Sequence, residues 1–166
     1  MTPEEVMGRI EQSTGVAGMQ PQRVELIPGH TSLVARTSQF RFRWMATQLH
    51  TFLVAAPFPG ALSRVELDGY MAAATRYAKS NKGGLPLGLQ TGVAAIVVAV
   101  TAGASPEAVE WASNVHGRQF STIPWPALVD TAVPTVVQPQ RMVIGGIYKA
   151  YLQEMVQRHV VAAVTG

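Results

Sequence analysis

Residues 92–104, GVAAIVVAVTAGA, constrain the fold more than any other part of this sequence. The run carries no charge and does not alternate polar with apolar residues. A strand with one wet face alternates, whereas a strand buried on both faces does not. At 13 residues the run is shorter than the roughly 20 needed to cross a bilayer. It ends at Ser105-Pro106-Glu107, a helix start with Ser105 as cap. Residues 93–101 are therefore expected to form a central strand, and a sheet with such a strand needs helices packed against it.

The flanking segments fit that layering. Thr2-Pro3-Glu4-Glu5 has the form of a capping box and starts a helix showing Val6 and Ile10, to about Ser13. Residues 23–28 and 31–37 read as strands around a Gly29-His30 turn. In residues 40–44 the alternation puts Phe40, Phe42 and Trp44 on one strand face, expected to be the core face, and Arg41 and Arg43 on the other. That run continues to Pro57 as one long or bent strand or as two strands, with no glycine or proline to place a turn between them. Ser63 and Glu66 form a second capping box, and Leu67, Met71, Ala74 and Ala78 make a helical stripe. Residues 119–129 read as a strand that Pro124 and Pro126 confine to an edge, a bulge or an irregular run. A short strand follows at 133–137. Ile144, Tyr148, Tyr151, Leu152 and Met155 mark a last amphipathic helix to about Val161.

The expected fold is one α/β domain over residues 1–166, with α+β segregation left open. Its mixed sheet has about five or six strands flanked by helices, in the order α-β-β-β-α-β-α-β-(β)-α. A length of 166 residues suits one core.

Composition narrows the chemistry. Cysteine is absent, which removes disulfides, thiolate metal sites and a cysteine nucleophile. Charged residues are 14%, against about 25% in an average domain. The ten acids include only two aspartates, Asp68 and Asp130. His30, His50, His116 and His159 form no HxH, HxxxH or HExxH pattern. A metal or acid–base site would have to be assembled in space, from His30, His50 and Glu25 or around Asp130. No GxSxG, SxxK, GxGxxG or Walker pattern occurs, so no catalytic residue, metal or cofactor is expected.

Basic residues are concentrated. Residues 23–82 hold eight bases and three acids, and the remainder five bases and seven acids. Lys79-Ser80-Asn81-Lys82-Gly83-Gly84 is the best anion-site candidate, because glycines free backbone N–H groups and the lysines add charge. Its competing reading is a helix C-cap, with lysines in the last turn and a left-handed Asn81 or Gly83. Arg41, Arg43 and Arg76 join it as possible phosphate contacts, which makes nucleic acid a candidate partner. Tyr148, Tyr151 and Met155 either pack on the sheet or form a contact between copies. With so few charges, apolar surface is expected to remain exposed and to be covered by self-association or a partner protein.

The acidic N-terminus, with no apolar run after it, does not read as a signal peptide, so a cytoplasmic protein without membrane contact is expected.

Gly83-Gly84-Leu85-Pro86-Leu87-Gly88-Leu89-Gln90-Thr91-Gly92-Val93, then Ser105-Pro106-Glu107-Ala108 and Pro126-Ala127-Leu128-Val129-Asp130, resemble an uncharacterised family of small soluble proteins from actinobacteria and halophilic microbes. The resemblance implies a self-contained domain and brings no activity. The element order is similar to that of the restriction-endonuclease-like core. That family holds magnesium with an Asp and a Glu/Asp-x-Lys on adjacent strands. Residues 40–57 here carry no acid and no lysine, so an active member is not expected.

Overall fold

The computed structural model describes residues 1–88, 90–115, 121–142 and 146–166. His116, Leu89, Ile144 and the first two residues of the expected strand at 119–129 lie outside the described residues.

Six strands form one sheet in the order in which they occur along the chain. They are β1 (Gln22–Ile27), β2 (His30–Arg41), β3 (Thr47–Phe58), β4 (Thr91–Thr101), β5 (Thr122–Asp130) and β6 (Thr135–Val137). β1, β2 and β3 form an antiparallel meander. β3, β4 and β5 run parallel, and β6 turns back antiparallel. Every residue of β4 is buried, as its unbroken apolar run predicts. The α/β class and the mixed sheet flanked by helices are what the structure has.

Parallel neighbours require crossovers, and helices supply them. α2 (Arg64–Asn81) joins β3 to β4, and α3 (Pro106–Ser113) joins β4 to β5. Both cover one face, where Leu67, Tyr70, Ala74 and Trp111 pack on Phe52, Val54 and Val97. On the other face, α1 (Pro3–Val16) and α4 (Lys149–Val156) bring Val6, Ile10, Leu152 and Met155 onto Leu53, Ile96 and Trp125. Both capping boxes are formed: Thr2 and Glu5 cap α1, and Ser63 and Glu66 cap α2. The last helix is not continuous, because a π-helical turn (Gln157–Val161) separates α4 from α5 (Ala162–Thr165).

Pro124 and Pro126 sit in β5 opposite Ala95 and Val97 of β4. β6 pairs only with the end of β5, from Leu128 to Asp130. Among the described residues no strand flanks the prolines on the outer side, so their missing N–H groups break no ladder. This is the edge reading.

The expectation for residues 40–44 needs correction. β2 ends at Arg41, and Phe42–Trp44 form a single 3-10 turn. Phe40 and Phe42 are 53% and 85% exposed, while Trp44 alone is buried. The turn is made by Met45 and Ala46, at φ 55° and 56°. Glycine or asparagine normally takes that left-handed backbone, so nothing in the sequence announces it.

Candidate functional site

The carboxyl ends of the parallel strands are where open α/β sheets usually hold ligands, at a point where strand order reverses. Here β3, β4 and β5 follow one another with both crossover helices on one face, so strand order does not reverse among them. A cleft of about 570 Å³ lies beside the end of β3, lined by His30, Phe58 and Glu66. The rest of that end is tied together by hydrogen bonds. The Thr101 hydroxyl donates to Gly60 O (2.9 Å), and the Ser105 hydroxyl to Leu62 O (3.0 Å). Asp130 accepts from the backbone N–H of Ala104 (2.9 Å) and of Ala132 (2.9 Å). Burial would push the Asp130 carboxyl up, but these and further backbone donors hold it below its usual range. Asp130 is thus a loop clamp.

The residues of the spatially assembled alternative do not meet. His30 stacks on Phe58, the last residue of β3, with ring centroids 5.3 Å apart. His50 lies at the other end of β3, on the order of 25 Å away at about 3.3 Å per residue. Glu25 accepts from Gly29 N–H (3.1 Å) inside its own hairpin turn. Among the described residues no group of three His, Cys, Asp or Glu could hold a metal ion. No helix of the described residues is long and apolar enough to cross a membrane.

One constellation was invisible in the sequence. Ser13 Oγ and His159 Nδ1 are hydrogen-bonded at 2.8 Å, although 146 residues separate them. His159 sits in the π-helical turn and is held neutral by burial and by Arg158. Among the described residues no carboxylate hydrogen-bonds this histidine, so the orienting third group of a nucleophilic triad is lacking. The pair ties α1 to the C-terminal helix, as does the Arg9 guanidinium donating to Ala163 O (3.2 Å).

The amino ends of the parallel strands are different in character. Phe40 and Phe42 meet edge to face, with centroids 5.4 Å apart, and stand in solvent beside Met45, itself 83% exposed. Leu85, on the neighbouring loop after α2, is exposed as well. Each of these strands starts just after a left-handed residue other than glycine: Ala46 before β3, Gln90 before β4 and Ser121 before β5. Gln90 O and Ser121 O accept from Gln48 N–H (2.8 Å) and Val93 N–H (2.9 Å). Those bonds hold the strained backbone in place. Such outliers concentrate where a structure serves a function rather than only its stability.

The basic candidates separate into committed and free. Arg36 donates to Asn81 O (2.8 Å) and Lys82 O (3.1 Å), capping the last turn of α2. Lys82 donates to Gly83 O (3.0 Å) and to Leu85 O. Gly83 and Gly84 have φ 66° and 67°, so Gly83 takes the left-handed position after the helix. The 79–84 segment is thus organised as a helix cap with Lys82 on carbonyls. Arg41 lies over the rings of Trp44 and Tyr151, 4.9 and 5.2 Å from their centroids. Arg43 and Arg76 stay in solvent. Tyr151 and Met155 are buried on the sheet with Tyr148 packed against them, so that face is used within the chain. His50, 5% exposed, lies beneath Gly84, and neither ring nitrogen has a hydrogen-bond partner. Burial first, then Arg36 and Lys82, keeps it neutral.

Comparisons of this chain with protein-family models, curated proteins and solved structures found no match.

Proposed function

We propose that this chain is a small non-enzymatic domain that works by docking another protein on the tip of its β2–β3 hairpin. The observation that carries the reading is the cluster of Phe40, Phe42 and Met45, exposed together on one turn. Aromatic and methionine side chains are enriched at the centres of protein interfaces. The core does not use them: of the bulky residues in this turn only Trp44 is buried.

A photo-crosslinking residue in place of Phe42 tests this, with one in place of Val16, exposed on α1, as control. In extracts of the source organism, discrete adducts are expected from position 42 and not from position 16. Met45→Ser should weaken them. Equal labelling from both positions, or none from 42, would remove the reading.

A second reading, binding of single-stranded nucleic acid, is favoured by the same exposed phenylalanines beside Arg43. Against it, Arg36, Arg41 and Lys82 turn their groups to carbonyls and rings within the chain, which keeps their charge but leaves few cations for direct phosphate contacts. Two free cations imply a log–log salt slope of only about −1.4. A steeper slope in a titration with a single-stranded homopolymer would move this reading to first place.

A further inference from the structure

If the hairpin tip docks a protein, as proposed above, the sheet next to it supplies a way to hold one. β1 pairs with β2 only as far as Val34, which faces Gln22. β2 continues to Arg41. Arg36 N–H donates to Met19 O (3.2 Å), which fixes the backbone direction at that residue as outward. The direction repeats every second residue, so the N–H and C=O groups of Ser38 and Phe40 also point outward. Thr37, Gln39 and Arg41 point inward and complete the ladder to β3 opposite Thr51, Leu49 and Thr47. Among the described residues no strand covers the outer edge of residues 37–41. That is about 17 Å of bare edge at about 3.4 Å per residue. Proteins usually blunt or cover such an edge, because it is a template for another chain.

A cleft of about 560 Å³ runs along this edge. Gln20 and Gln22 line one side, Tyr77 and Asn81 the other, with Arg36 and Ser38 between them. Past the end of α2 the sheet face is open, and Ser38, Phe40 and Gln48 are exposed on it.

Charge selects the occupant. Residues 26–65 contain Arg36, Arg41, Arg43 and Arg64 and no aspartate or glutamate. Among the described residues the ion pairs are Arg23–Glu11, Arg64–Asp68 and Arg158–Glu154. Arg36, Arg41 and Arg43 therefore keep their charge without a carboxylate. A second copy added there would bring its own Arg36, Arg41 and Arg43 and no carboxylate from residues 26–65 to the same edge, like charge near like charge. An acidic segment would meet the opposite sign along the whole edge.

We infer that the outer edge of β2, at Ser38 and Phe40, accepts an extended acidic segment of a partner protein as an added β-strand. Main-chain hydrogen bonds to Ser38 and Phe40 hold the segment, and the arginines choose its charge. The exposed phenylalanines cover an apolar side chain at its end.

Ten-residue peptides displayed on phage and selected against the full chain supply the probe. The best are then synthesised and studied by amide hydrogen exchange. Acidic sequences of extended character are expected. Their binding should slow exchange at the Ser38 and Phe40 amides at least tenfold and leave Thr37 and Gln39 unchanged. Ser38→Pro, which removes one outward N–H at an edge position where proline is tolerated, should weaken binding at least tenfold at an unchanged melting temperature. Ser38→Ala, which keeps that N–H, should bind as before. Recovery of no peptide, selection of neutral or basic ones, or no protection at the two amides would overturn the inference. So would concentration-dependent protection without peptide, which would assign the edge to a second copy. Binding lost in Phe42→Ser but intact in Ser38→Pro would overturn strand addition and leave the tip as the docking surface. The reverse pattern would keep the edge and remove the tip.

Discussion

At the scale of single residues, His50 shows how a site can be occupied by a group that makes no bond. It is buried under Gly84 with two unpartnered ring nitrogens and two cations nearby. Its folded pKa and that of His159 lie below the ordinary value of 6.5. The unfolded chain therefore binds protons at these sites before the folded one does. Stability contributed by the neutral rings is full above pH 6.5 and is lost as pH falls from there toward the folded pKa values. Thermal melts from pH 7.5 to 5 should show a falling midpoint that starts near the unfolded histidine pKa of about 6.5. His50→Leu should flatten part of that fall, with His159 carrying the rest. An unchanged pH profile in the variant would show that His50 is already relieved by a partner.

At the scale of elements, legibility followed from whether the signal was local. Thr2, Ser63 and Ser105 announce their helices because a cap is made by residues three apart. β4 was readable because burial on both faces leaves an uninterrupted apolar run. The turn at residues 42–46 was not, because Met45 and Ala46 take a backbone that their side chains disfavour. Continuing the strand through that turn assigned Phe40 and Phe42 to the core. The exposed cluster of Phe40, Phe42 and Met45 was hidden for the same reason. Ser13 and His159 were illegible because only tertiary packing brings them together. Left-handed backbone costs a non-glycine residue about 1–2 kcal/mol, partly offset by the extra freedom glycine has when unfolded. Ala46→Gly should therefore raise stability slightly, by up to about 1 kcal/mol. Chemical denaturation would measure it, and a loss of stability would mean that the alanine methyl packs against something it needs.

At the scale of the molecule, the two ends of the sheet differ in character. The carboxyl ends of the parallel strands are bound together by Thr101, Ser105 and Asp130. The amino ends carry the exposed phenylalanines, the strained strand starts and the bare edge of β2. This division was not foreseeable from composition. The excess of basic residues over 23–82 was visible from the start. That Arg36, Arg41 and Lys82 are engaged inside the chain was not, and it is what turns a general basic half into a defined edge.

The strand order has a consequence for how the chain reaches this structure. Because neighbours in the sheet are neighbours along the chain, each strand can be added to an edge already built as synthesis proceeds. No strand must wait for a later one to be inserted beside it, and each closure spans one helix at most. Loops of that size close at modest entropic cost, so the sheet should grow in one direction from the β1–β3 meander. Pulse-labelling hydrogen exchange during refolding should find β2 and β3 amides protected before those of β5. Simultaneous protection of all strands would mean that the core condenses as a single unit instead.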